Sequence, residues 1–138
     1  LLILARELDL KNEFSEGVIE NLIPEELQVL DAPGFLAQMS KLDPIFAEIK
    51  AGLAPDEVLR YVGILGGDLQ KEKGQLSAGL CRVPKQSPLG QVKGADSIIE
   101  IYTESYGDQP IVIQGAGAGA TVTARGVFGD ILRIVEKN

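Results

Sequence analysis

The apolar positions of this chain change their spacing several times, and each change marks an element. Leu1, Leu2, Ile3, Leu4 and Ala5, followed by Arg6 and Glu7, are good helix formers and predict the end of a helix. Val18, Ile19, Leu22 and Ile23 predict a short strand or extended segment that stops at Pro24. From Asp31 the spacing becomes helical: Phe35, Leu36, Met39 and Leu42 recur behind an Asp31-Ala32-Pro33 start signal. Ile45, Phe46, Ile49 and Leu53 repeat the pattern behind Asp43-Pro44, so two short helices are expected over about 33–41 and 44–52.

Strand character follows. Val58, Leu59, Tyr61, Val62, Ile64 and Leu65 form an aliphatic and aromatic run closed by Gly66-Gly67. A charged, solvated loop with Lys71, Glu72 and Lys73 leads to a second strand over about 76–83, and prolines 84 and 88 bracket a break. Leu89 to Val92 fits one helical turn, and residues 96–106 alternate as a further strand. Gly107-Asp108-Gln109-Pro110 then turns the chain into Ile111-Val112-Ile113. The expected fold is α+β: a mainly antiparallel or mixed sheet of three to five strands, short helices on one face, and a C-terminal helix. Glu100 and Glu104 would share one strand face about 13 Å apart at ~3.3 Å per residue, which suits a solvated surface rather than an acid–base pair.

After Ile113 and Gln114 comes Gly115-Ala116-Gly117-Ala118-Gly119-Ala120, and then a helix expected to run to the end of the chain. Small residues at such a turn let backbone N–H groups approach a ligand, and the following helix adds the positive end of its dipole, so a phosphate or carboxylate is the natural guest. The competing reading is a strand-to-helix connection whose small residues serve close packing. The spacing is G-x-G-x-G, whereas a dinucleotide fingerprint is G-x-G-x-x-G opening a βαβ unit. Too few residues follow Gly119 for a second strand, so the first turn of a complete Rossmann domain is not expected here. The last helix carries Val122, Val127, Phe128, Ile131, Leu132, Ile134 and Val135, more than one narrow stripe, and asks for burial on more than one side. Arg125 and Arg133 are expected to face solvent or pair with Asp130 and Glu136.

Composition narrows the chemistry. With 138 residues and 45% hydrophobic content the default is one compact unit. A net charge of −7 argues against nucleic acid as a partner. There is no histidine and one cysteine, Cys81, which removes disulfide scaffolds, Cys/His metal sites and Ser-His or Cys-His nucleophiles within this sequence. Cys81 reads as a small buried hydrophobe. No run approaches the ~20 apolar residues of a membrane span, so no membrane partner is expected and the chain reads as cytoplasmic. It opens in an uncapped apolar run without methionine, which leads us to expect the back part of something longer.

Three stretches taken in order carry a family resemblance. Val58-Leu59-Arg60-Tyr61-Val62-Gly63, then Ser87-Pro88-Leu89 with Val92-Lys93-Gly94-Ala95-Asp96, then the glycine turn with Val122-Thr123-Ala124-Arg125-Gly126-Val127, together resemble the C-terminal part of homoserine dehydrogenase. The opening and the helical pair look most like the bifunctional form in which an aspartokinase precedes the dehydrogenase. The resemblance implies an oxidoreductase that interconverts L-aspartate 4-semialdehyde and L-homoserine with NADP or NAD, on the route to threonine and methionine. In that family the N-terminal segment supplies the dinucleotide fold. An Asp and, four residues on, a Lys that protonates the substrate carbonyl lie just before the helix with which this chain opens. Residues 1–114 would then be the rear of the catalytic and dimerisation region, and 115–138 the turn and last helix that pack on the dinucleotide-binding domain. No catalytic residue and no metal ligand is expected in this chain, which alone should not turn over. Gly119 is the implied cofactor contact, with Gly117 a second. The implied partners are the dinucleotide-binding and aspartokinase parts of the same polypeptide and further copies of it in a homo-oligomer. A free-standing anion- or nucleotide-binding module, or a structural dimerisation module, stands as the alternative.

Overall fold

In a computed structural model that describes residues 1–137, the leucine-rich opening forms helix α1, Leu2–Glu7. Asp9, in the left-handed region at φ 61°, reverses the chain and drops Leu10 beneath the helix. Ala5, Leu10 and Leu76 form a small buried cluster, with Leu2 and Leu65 packed against it. Asn12 is buried alongside, 2% exposed. Its Nδ2 donates to the carbonyl of Gly74 and its Oδ1 accepts from the Gly74 N–H, both at 2.9 Å, while Arg6 Nη2 donates to the Asn12 carbonyl at 2.9 Å. One amide thus satisfies both backbone groups of Gly74, which meets the rule that buried polar groups be paired.

A 3-10 turn at Phe14–Glu16 precedes strand β1, Val18–Ile19. Helix α2, Glu25–Gln28, follows Pro24 and buries Leu27. The expected helical pair is present with shifted bounds. Helix α3 is Ala32–Gln38, capped by Asp31, whose carboxylate accepts from the Gly34 N–H at 2.9 Å. A 3-10 turn, Met39–Lys41, joins it to α4, Leu42–Ala51. Pro44 therefore lies inside the first turn of α4, where the missing N–H costs no hydrogen bond, and does not start the helix. Strands β2, Glu57–Gly66, and β3, Gln75–Pro84, pair antiparallel along their full lengths, with Arg60 opposite Cys81. β1 pairs parallel to the other edge of β3, giving the order β1-β3-β2. Glu20 prolongs β1 by other means: its N–H donates to Ala78 and its carboxylate accepts from the Leu80 N–H at 2.6 Å. A β-carbon at Gly79 would lie 2.7 Å from that carboxylate oxygen, so glycine leaves room for it.

These elements make one compact unit ending at Pro84, and a second begins at Lys85. The second unit holds α5, Pro88–Gln91, capped by Ser87 on the Gly90 N–H at 3.0 Å. Its sheet is an antiparallel pair, β4, Asp96–Ile101, with β5, Ile111–Ala116. The strands are thus shared between a mixed three-stranded sheet and a separate two-stranded ladder. β4 stops at Ile101, short of the expected 106, because the Tyr106 and Gly107 N–H groups both turn back to the Thr103 carbonyl and Gly107 takes φ 57°. Helix α6, Ala120–Glu136, completes the unit, and the expectation that it reaches Asn138 lies outside the described residues. No helix among the described residues is long and apolar enough to cross a membrane.

Candidate functional site

The glycine turn is built by β5, by the start of β4 and by the first turn of α6. In the ladder, Ser97 stands opposite Gly115 and Asp96 opposite Ala116. One residue beyond the strand, the Gly117 N–H still donates to the Ala95 carbonyl at 3.1 Å. Gln114 Nε2 donates to the Asp96 carboxylate at 3.2 Å, tying the same corner through side chains. Gly119 is the N-cap of α6 and has φ 122°, ψ 145°, a conformation open to glycine and strained for other residues. Its carbonyl accepts from both the N–H and the hydroxyl of Thr123, each at 3.1 Å.

The three glycines are needed for different reasons. A β-carbon at Gly115 or at Gly119 would meet no atom within 4 Å, so both present bare backbone to open space. At Gly117 a β-carbon would fall 2.1 Å from Ser97 Oγ and 2.9 Å from Ser97 Cβ. The two readings of the stretch are therefore divided between its residues: Gly117 serves close packing, and Gly119 serves backbone geometry at an accessible helix start.

Along α6 an open hollow of about 530 Å³ is lined by Ala120, Thr121, Ala124, Arg125 and Phe128. Both arginines of α6 stand as expected: Arg133 pairs with Asp130 at 3.4 Å, and Arg125 is exposed to solvent beside the hollow it lines. The apolar side chains of α6 are exposed, Val127 at 57% and Phe128 at 61%. Glu100 accepts from the Tyr102 hydroxyl at 2.9 Å, and that bond holds the Tyr102 phenol above its ordinary pKa. No group of three or more His, Cys, Asp or Glu that could hold a metal exists among the described residues. In the first unit, Cys81 is half-buried on β3. An apolar hollow of about 250 Å³ there is lined by Leu1, Leu2, Phe14, Ile19 and Leu76 together with Gly17, Ser77 and Ala78.

Ala95, which enters the sequence reading only through the family resemblance, and Ser97 both touch the turn, and neither is expected there from sequence. The signal that finds them is the hairpin register, which sets 96–101 against 111–116 and brings the start of β4 beside the glycines.

The sequence profile of the homoserine dehydrogenase family matches residues 1–132, a span that includes the whole turn and most of α6. Over 134 residues the chain is 40% identical to bifunctional aspartokinase/homoserine dehydrogenase 1, chloroplastic, of Arabidopsis thaliana, covering 96% of this chain and 14% of that protein. It is 39% identical over 125 residues to homoserine dehydrogenase of Emericella nidulans, covering 86% of this chain and 33% of that one. Among solved structures, a Candida auris protein of unknown function matches 88% of this chain and 33% of its own, with TM-score 0.67 and 36% identity. The chain therefore spans between 14% and 33% of the length of these relatives.

Proposed function

This chain belongs to the homoserine dehydrogenase family, and from that premise we propose that it forms the rear, C-terminal part of an NADP- or NAD-dependent enzyme interconverting L-aspartate 4-semialdehyde and L-homoserine, within a bifunctional aspartokinase/homoserine dehydrogenase. The supporting observation is the family match over residues 1–132, which takes in the glycine turn. The turn suits a dinucleotide, since Gly115 and Gly119 present backbone without a side chain in the way and α6 begins immediately after them. When bound, the nicotinamide supplies or accepts the hydride. Gly119 offers close backbone approach at the N-terminal end of the α6 dipole, and Gly117 stands behind it, packed against Ser97, with no side-chain chemistry from either. Proton transfer to the substrate carbonyl is assigned to an Asp and a Lys outside these 138 residues, so the chain alone gives no turnover. The exposed apolar side of α6 is assigned to packing on the dinucleotide-binding part of the same polypeptide, and the assembly to a homo-oligomer.

The test uses the natural-length polypeptide and follows NADPH oxidation with aspartate semialdehyde. Turnover is expected, with Gly119→Val raising KM for NADPH about tenfold or more, since strain at this φ displaces the turn. A natural-length polypeptide that is properly folded and leaves NADPH untouched refutes the assignment. Turnover by the 138-residue chain alone refutes the placement of the proton donor elsewhere.

A further inference from the structure

We infer that Ser97 is the positioning residue of the glycine turn: its side chain, at the start of β4, fixes Gly117 and through it the place where Gly119 presents its backbone. The inference rests on the reading that this turn meets the dinucleotide.

Gly117 is held from two directions by the same short segment. Its N–H donates to the Ala95 carbonyl at 3.1 Å, which extends the ladder one residue past the end of β5. Its Cα face lies so close to Ser97 that a β-carbon would sit 2.1 Å from the hydroxyl oxygen and 2.9 Å from Ser97 Cβ. Real β-carbons do not approach a heavy atom that closely, so the Ser97 side chain fills the space a side chain at 117 would need. The neighbouring glycines show that this is specific, because a β-carbon at Gly115 or Gly119 meets nothing within 4 Å.

The contact works by occupancy. Among the described residues no protein group hydrogen-bonds the Ser97 hydroxyl, and Ser97 is exposed on the β4 face. Only Ala118 separates Gly117 from Gly119, the residue that caps α6. A shift at 117 is therefore passed to the cap of α6 and to the first-turn N–H groups behind it. Ser97 touches no reacting atom on this account; it sets the height of the backbone that does the binding.

Occupancy predicts a graded rescue, and the natural-length polypeptide is the material for it. Gly117→Ala is expected to raise KM for NADPH about tenfold or more, with KM for the semialdehyde little changed. Gly117→Ala with Ser97→Gly removes both clashing atoms and is expected to return KM for NADPH to within about threefold of the parent. Gly117→Ala with Ser97→Ala removes only the nearer atom and should recover part of the way. If Gly117→Ala does not fold, Ser97→Val in the parent enlarges the same contact from the opposite side and should raise the same KM. No recovery in the Ser97→Gly pair, or an unchanged KM for NADPH in Gly117→Ala, overturns the inference. The cofactor reading fails separately: Gly119→Val without effect on KM for NADPH removes that premise, whereas Gly119→Val with effect and no rescue at Ser97 removes this inference alone.

Discussion

Asn12 joins the N-terminal segment to the hairpin loop between β2 and β3, and its removal should be among the costliest single changes in the first unit. Asn12→Ala deletes two hydrogen bonds of 2.9 Å and leaves the N–H and carbonyl of Gly74 without partners, while the Arg6 bonds to the Asn12 carbonyl survive. At roughly 1 kcal/mol for each neutral bond, with a further ~1 kcal/mol for half-buried groups left unmade, the expected loss is about 2–3 kcal/mol. For a unit whose buried cluster is as small as Ala5, Leu10 and Leu76 that is a large share of the stability a domain normally has, ~5–15 kcal/mol. Urea unfolding read at the β3 amides measures it, and the Gly74 N–H should lose its exchange protection. Asn12→Asp sharpens the test, because it keeps the acceptor and replaces the donor. At neutral pH the introduced carboxylate faces the Gly74 carbonyl and should cost at least as much as alanine. Toward pH 4 the protonated acid can donate again, and part of the loss should return. An Asn12→Ala variant within about 0.5 kcal/mol of the parent refutes the reasoning, since that is the scatter of an inconsequential surface change.

Three further outcomes follow from contacts of the same unit. Gly79→Ala should displace the Glu20 carboxylate from the Leu80 N–H and destabilise by about 1–2 kcal/mol, and Glu20→Ala added to it should cost little more, a non-additivity that a double-mutant cycle reads directly. Asp9 sits at φ 61°, so Asp9→Val should lower stability by roughly 1–2 kcal/mol while Asp9→Gly does not, as thermal unfolding would show. Lys73 donates to Glu16; that hydrogen bond, with a smaller contribution from the Glu13 backbone, holds the Glu16 carboxyl below its ordinary pKa, and the same bond holds the Lys73 ammonium above its own. The carboxylate's share of the stabilisation is full above its ordinary 4.5 and fades as pH falls through the lowered value, and the ammonium's is full below 10.5 and fades as pH rises through the raised one. An NMR titration should find Glu16 moving back up toward the ordinary range in Lys73→Ala; an unmoved Glu16 would show that the pair does not form in solution. Both groups are solvated, so high salt should weaken the effect.

The elements that sequence patterning reached are those whose signal is local. The continuous run from Val58 to Leu65 reads as a strand because nothing polar interrupts it except Arg60, and β2 exceeds it by one residue at each end. The cap at Asp31 was equally plain. Helix α2 was not: four residues opening with Glu25 and Glu26 behind a proline look like the end of an extended segment, and only the burial of Leu27 distinguishes them. The parallel pairing of Val18 with Ser77 and Ile19 with Ala78 has no local signature at all, since the partner strand lies beyond α2, α3, α4 and β2. At the candidate site the alternating glycines are visible in sequence, and only the family resemblance ranks Gly119 ahead of Gly117; their spacing does not. What separates Gly117 from Gly119 is a serine brought across by hairpin register in one case and a backbone angle in the other, and neither is a property of spacing.

The clasp between Asn12 and Gly74 joins residues 62 apart in the chain, and that separation has a temporal meaning during synthesis. Asn12 leaves the ribosome 62 residues ahead of Gly74, its hydrogen-bonding partner, and Leu76 follows later still. At ~5–20 residues per second the segment waits roughly 3–12 s with Leu2, Ala5 and Leu10 uncovered. The β2–β3 hairpin closes on itself within its own neighbourhood and is the natural first structure to form. Helix α1 is thus synthesised before the strands it packs on and docks after them, and the interval between the two is the period in which this unit of a nascent chain is most exposed to holdase chaperones and proteases.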